Sequence, residues 1–138
     1  MAKKRTHADI FLDSNICLYI FDDTHPKFAK TKELLESRPT ISTQVILENV
    51  NVCLKKLKSE RAFAVAHARS LQSACIVKTV STETMTLALK VFEKYGYSIF
   101  DSLIIAAALE LGCHTLYTED MQHGQVIEGT LKITNPFL

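Results

Sequence analysis

The chain has 138 residues, which fits one domain, and 47% of them are hydrophobic against 22% charged, enough apolar material for a real core. No run of about 18 apolar residues occurs, and the start MAKKRTHADI has basic residues with no apolar stretch behind them. Neither a transmembrane helix nor a signal peptide is therefore expected, and a cytoplasmic location is. The formal net charge of +1 does not by itself point to a nucleic-acid partner.

The charge distribution says slightly more: Lys3-Lys4-Arg5 and Lys55, Lys56, Lys58, Arg61 form two basic clusters, each of which also reads as ordinary solvated surface. The four cysteines, Cys17, Cys53, Cys75 and Cys113, lie scattered among apolar neighbours with no C-x-x-C pair. Buried, reduced thiols are expected rather than a zinc site or a disulfide framework.

In chain order, residues 1–8 read as a loose polar lead-in. DIFLD (Asp9–Asp13) is a buried-strand core bounded by acids, after which Ser14 or Asn15 caps a short helix through Phe21. Asp22–His25 is a turn, and Pro26 suits the first turn of a second helix. That helix runs to about Ser37, with Phe28, Ala29, Leu34 and Leu35 inward. PTIS (Pro39–Ser42) is a very short strand. Ser42 or Thr43 then caps a long helix whose apolar stripe is Ile46, Leu47, Val50, Cys53, Leu54 and Leu57. Arg61–Leu71 is a helix, Ala74–Val80 a strand, Thr82–Tyr95 a helix.

From Phe100 to Leu111 the only polar side chains are Asp101, Ser102 and Glu110, so this helix must be buried nearly all round. Gly112 is placed to end it. The β-type segment Thr115–Tyr117 follows and runs into Glu119-Asp120, and Leu131–Thr134 is the last strand. Strands alternate with helices throughout, which predicts one α/β domain over residues 1–138, a three-layer sandwich around a parallel sheet.

In such folds ligands bind beyond the carboxyl ends of the strands. Asp13 ends the first strand, Glu119 and Asp120 follow the fourth, and Asp101 opens the helix leading to it. Each acid also has a plain structural role open to it. Asp13 can help cap the first helix, Asp101 has S-x-x-D capping spacing from Ser98, and Glu119-Asp120 suit a turn. Glu48 falls on the polar side of its helical wheel, beside Asn51 and Lys55. Carboxylates gathered at one crevice repel unless a cation neutralises them, and all-oxygen ligands favour Mg²⁺ or Mn²⁺. Asn15, Ser14 and Thr118 supply neutral oxygens nearby. No G-x-S-x-G elbow, P-loop or G-x-G-x-x-G is present. The histidines show no ligand spacing; His123 alone is placed to touch the crevice, and an ordinary loop histidine is the favoured reading.

FLDSNICLYIFD, ISTQVILENVNV, YGYSIFDSLIIAAALELGCHTLYTEDMQHGQ and ITNPF, in this order and spacing, resemble a PIN-domain protein of the VapC type, the toxin ribonucleases of toxin–antitoxin pairs. The resemblance covers nearly the whole chain. It implies a parallel sheet of strand order 3-2-1-4-5 and Mg²⁺ or Mn²⁺ held by Asp13, Glu48, Asp101 and Asp120, the catalytic acids. Thr118 and Asn15 match its supporting polar positions, Glu119 lies outside its metal shell, and Glu48 turns toward the crevice rim despite the wheel. It further implies an endoribonuclease acting on RNA, a cognate antitoxin partner and a homodimer. Lys55, Lys56, Lys58 and Arg61 are the candidate phosphate contacts. Two other readings stay open: a PIN nuclease in RNA processing or DNA metabolism, and a non-enzymatic PIN-fold binding module.

Overall fold

Strand β1 (Ile10–Leu12) is the axis of the sheet, because Phe11 and Leu12 are completely buried and only a central strand covers both of its faces. The structure is a computed structural model that describes residues 9–138. The polar lead-in and the Lys3-Lys4-Arg5 cluster lie outside the described residues. Strands β2 (Thr40–Ser42) and β4 (Thr115–Tyr117) pair with β1 on either side, both parallel to it. Beyond them lie β3 (Ile76–Lys78) and β6 (Leu131–Thr134), and the two-residue β5 (Val126–Ile127) forms the far edge. The order is β3-β2-β1-β4-β6-β5.

The five parallel strands thus follow the expected 3-2-1-4-5 order, with β6 as the fifth. Strand β5 is an addition that the sequence pattern does not foretell. It pairs antiparallel with β6 through a tight turn in which Glu128 and Gly129 both have positive φ, 51° and 70°. Two successive positive φ angles mark the hairpin turn that matches strand twist. A glutamate in the first of those positions hides the signal.

Six α-helices flank the sheet: α1 (Ser14–Cys17), α2 (Phe28–Glu36), α3 (Thr43–Lys55), α4 (Arg61–Ala74), α5 (Thr82–Tyr95) and α6 (Ile99–Glu110). A 3-10 turn, Leu18–Phe21, continues α1. Helix α6 is buried along its central turns, with Ile104, Ile105, Ala106, Ala107 and Ala108 at 1% exposure or less, whereas Phe100 and Leu111 at its ends are 64% and 37% exposed, against the expectation of burial nearly all round. Ser98 caps it by accepting from Asp101 N at 3.1 Å, and Gly112 leaves it at φ 68°. All four cysteines are buried and unpaired, as expected.

Several boundaries and faces differ from the sequence-based expectation. Asp13, rather than Ser14 or Asn15, caps α1. Pro26 sits in the turn before α2, whose buried side chains are Thr31 and Leu34, while Phe28 and Leu35 are only partly buried and Ala29 is exposed. Helix α4 runs three residues longer than expected, to Ala74, and shortens the following strand to Ile76–Lys78. The buried residues of α3 are Val45, Ile46, Asn49 and Cys53, whereas Leu47 and Leu57 are 65% and 49% exposed. Asn49 displaces the apolar stripe because its amide has three partners inside: Nδ2 donates to Val45 O (3.0 Å) and Ser14 O (3.2 Å), and Oδ1 meets His67 Nε2 at 2.8 Å. A buried polar group so bonded costs little, and the helix turns it inward.

Candidate metal centre

The carboxyl ends of β1 and β4 lie side by side, since Leu12 stands in register with Tyr117 and Asp13 N donates to Tyr117 O at 3.0 Å. That pairing places the loop after β1 against the loop after β4. Asp13 is 5% exposed. Its Oδ1 accepts from Ser14 N at 2.6 Å and its Oδ2 from the buried Thr118 hydroxyl at 2.7 Å. Thr118 in turn accepts from Asp120 N at 3.2 Å, so one hydroxyl ties the two acids' loops together. Asn15 completes the tie, its Nδ2 donating to Asp120 Oδ2 at 2.8 Å. The capping role and the crevice position foreseen for Asp13 coexist: one oxygen caps, and the carboxylate still faces the other acids.

Glu48 reaches the same loop from α3. Its Oε1 accepts a short hydrogen bond from the Ser14 hydroxyl, although the helical wheel alone gave no reason for it to approach. Asp101 enters from the first turn of α6, held by Ser98. The acids feel one another. Burial pushes the Asp13 carboxyl from 3.8 up to about 7, with Asp101 and Glu48 adding repulsion against the lowering effect of its Thr118 and Ser14 bonds. Asp101 is also raised, first by burial and then by the charge of Asp120. No lysine or arginine is among the groups that shift either acid.

Among the described residues, no three acidic, histidine or cysteine side chains are already drawn together in a ready metal cage. The donor set nevertheless fits a hard cation, because its oxygens are carboxylate, amide and hydroxyl and its negative charge is uncompensated. One further observation agrees: Asn15 Oδ1 is buried and has no hydrogen-bond partner. An unpaired buried acceptor is costly unless something occupies the space before it.

Glu119, adjacent in sequence to Asp120, is turned elsewhere. It accepts from the Tyr19 hydroxyl at 2.6 Å and pairs with Lys27, whose ammonium also lies 5.0 Å from the Tyr19 ring centre and 5.1 Å from that of Phe137. Its charge is neutralised away from the cluster, in agreement with its exclusion from the expected ligand set. His123 accepts from Asn135 N at 2.9 Å and so serves its loop, the bland role favoured for it. Lys55 ends α3 and Arg61 begins α4. Seven residues past Glu48, at about 1.5 Å per residue, Lys55 stands about 10 Å farther along the helix axis. Among the described residues, no ion pair joins Lys55, Lys56, Lys58 or Arg61 to Asp13, Glu48, Asp101 or Asp120. Sequence reasoning missed Asn49; its only signal was a polar residue three and four positions from Ile46 and Val45, at core spacing.

A mainly parallel sheet in this order, with Asp13 and Asp120 in the loops just beyond β1 and β4, defines the class: an α/β domain that carries acids at its strand ends. The chain belongs to the PIN domain family, whose model matches residues 10–127. Solved structures that share the fold include two toxin-system proteins. VapC20 of Mycobacterium tuberculosis, a Sarcin-Ricin loop cleaving toxin, superposes with a TM-score of 0.66 at 23% identity, covering 80% of this chain and 89% of that one. VapBC2 from Rickettsia felis, solved bound to a DNA fragment from its promoter, gives 0.65 at 20% identity, covering 91% of this chain and 98% of that one. No curated protein matches the chain by sequence. Among the described residues, no helix is long and apolar enough to cross a membrane.

Proposed function

We propose that this protein is a Mg²⁺- or Mn²⁺-dependent endoribonuclease and the toxin of a toxin–antitoxin pair. The observation that carries the reading is the buried Asp13 tied through Thr118 and Asn15 to the loop of Asp120, with Asp101 and Glu48 near enough to raise its carboxyl and no basic side chain to offset them. Asp13 is buried and Asp101 partly so, neither has a cation beside it among the described residues, and a divalent ion is a ligand that relieves both.

When bound, such an ion makes a coordinated water more acidic and offsets charge on the phosphate being cleaved. Asp13, Asp101 and Asp120 are the side chains that would hold it. Glu48 binds a second ion or orients the attacking water, and its hydrogen bond from Ser14 fixes the carboxylate for either task. Thr118 holds the Asp13 carboxylate in one rotamer, and Asn15 does the same for Asp120. Water adding in line to the phosphorus would break the P–O3′ bond, pass a proton to the 3′ oxygen and so leave a 5′-phosphate and a 3′-hydroxyl. Lys55, Lys56, Lys58 and Arg61 contact flanking phosphates. A cognate antitoxin covers the site, and the toxin is a homodimer. The VapC20 and VapBC2 structures support this reading by their shared fold.

The test is direct. Purified protein is incubated with bulk tRNA and rRNA, in Mg²⁺ and in EDTA, beside the Asp101→Asn variant. Cleavage is expected only for the wild type in Mg²⁺, with both proteins showing the same circular dichroism. Mg²⁺-dependent cleavage by the variant would overturn the assignment of Asp101.

A further inference from the structure

Beside Glu48 lies an open hollow of about 500 Å³ that the acid cluster does not use. Its size falls within the range of about 300–1,000 Å³ common for small-molecule sites. Two of its walls are apolar side chains that the fold leaves bare: Phe100, 64% exposed, and Leu47, 65% exposed. The polar lining comes from Thr43, Gln44, Asn51 and Glu48 itself. Neither apolar residue serves the core, and Phe100 immediately precedes Asp101.

Gln44 supplies a second observation. Its Nε2 donates to Phe100 O at 3.1 Å, which fixes the amide orientation, since the reverse assignment would set two acceptors against each other. Its Oε1 is buried and has no partner. The hollow is therefore lined by a bare aromatic ring, by one of the proposed catalytic acids and by Gln44, whose buried amide oxygen is unsatisfied.

We propose that this hollow is a nucleobase subsite, which takes an unpaired base of single-stranded RNA next to the phosphate being cut; the proposal rests on the ribonuclease reading above. Phe100 stacks on the base, and Gln44 Oε1 accepts from an N–H on the base edge. Splayed bases of single-stranded RNA are recognised in this way, by aromatic stacking with hydrogen bonds to their edges. The small side-chain adjustment that brings Oε1 into the hollow is routine on binding. The mixed lining favours a base over an apolar helix, which would leave Gln44, Asn51 and Glu48 covered without partners.

The experiment uses the Asp101→Asn background in Mg²⁺, so that no strand is cut. Fluorescence anisotropy measures binding of short single-stranded RNAs of each base and of an abasic ribose–phosphate strand of equal length. The parent should bind at least one base-bearing strand about tenfold more tightly than the abasic strand. Adding Phe100→Ala should erase that difference and leave abasic binding unchanged, and Phe100→Tyr should restore it. Gln44→Leu should alter the ranking among bases. An unchanged base preference in the Phe100→Ala form overturns the proposal. So does a shift in oligomeric state on sedimentation with RNA binding intact, which would make Phe100 a contact between copies. Because binding is read without catalysis, the outcomes separate from the nuclease reading. Base-dependent binding by a protein that never cleaves RNA keeps the subsite and sinks the nuclease, whereas cleavage with no base preference does the reverse.

Discussion

In an Asp13→Asn variant the buried carboxylate becomes a neutral amide of nearly the same shape. The wild-type group titrates at about 7 in the folded protein instead of 3.8. The folded state therefore keeps a proton that the unfolded chain releases, and stability falls as pH rises from about 4 to about 7. At about 1.36 kcal/mol per pKa unit, ionising this side chain costs the metal-free fold about 4 kcal/mol. The amide avoids that cost but bonds Ser14 N and Thr118 less well than the acid, a loss of about 1–2 kcal/mol. The variant should thus be less stable than wild type below pH 4 and more stable by about 2–3 kcal/mol at pH 8 in EDTA. For a chain of this length, each kcal/mol moves the melting temperature by roughly 3–5 °C. Saturating Mg²⁺ should cancel or reverse that advantage at pH 8, since an ion at about 100 times its Kd adds about 2.7 kcal/mol to the wild type alone. Differential scanning calorimetry across pH, with EDTA and with Mg²⁺, reads all three results. Parallel pH profiles of the two proteins in EDTA would refute the reasoning.

Other expectations follow from the same geometry. Mg²⁺ binding followed by calorimetry should weaken as pH falls through 7 and release protons, because Asp13 and Asp101 must ionise to hold the ion. Affinity independent of pH between 5 and 8 would contradict this. Asn49→Leu leaves Ser14 O and His67 Nε2 without their partner and should cost about 1–3 kcal/mol in urea unfolding, with an unchanged midpoint counting against it. Neutralising Lys55, Lys56, Lys58 and Arg61 together should flatten the salt dependence of RNA binding, by about 0.7 in log–log slope for each phosphate no longer neutralised. An unaltered slope would remove the cluster from the RNA surface.

Much of the architecture was legible in the chain. Alternating short β-type runs and amphipathic helices require a parallel sheet with helices over it, and the apolar run of Leu103–Leu109 forces a buried helix core. The misplaced features share a cause. Leu47 and Leu57 are apolar and exposed, while Asn49 is polar and buried. Hydrophobicity by position cannot register a side chain whose partners, Ser14 O and His67, arrive from other elements. Strand β5 is two residues long, and its pairing depends on β6 already being in the sheet.

The site divides along the same line. By itself the sequence put acids at the ends of the first and fourth strands and at the head of α6, because their neighbours define those elements locally. Glu48 entered only by resemblance to the PIN family. Tertiary structure decided the rest. It brought Ser14 to Glu48 across 34 residues and Thr118 to Asp13 across 105, and it removed Glu119 to Lys27 across 92. It also buried Asp13 deeply enough to hold its pKa at about 7. Burial and mutual repulsion are properties of the space that several segments enclose, and they arise only when those segments meet.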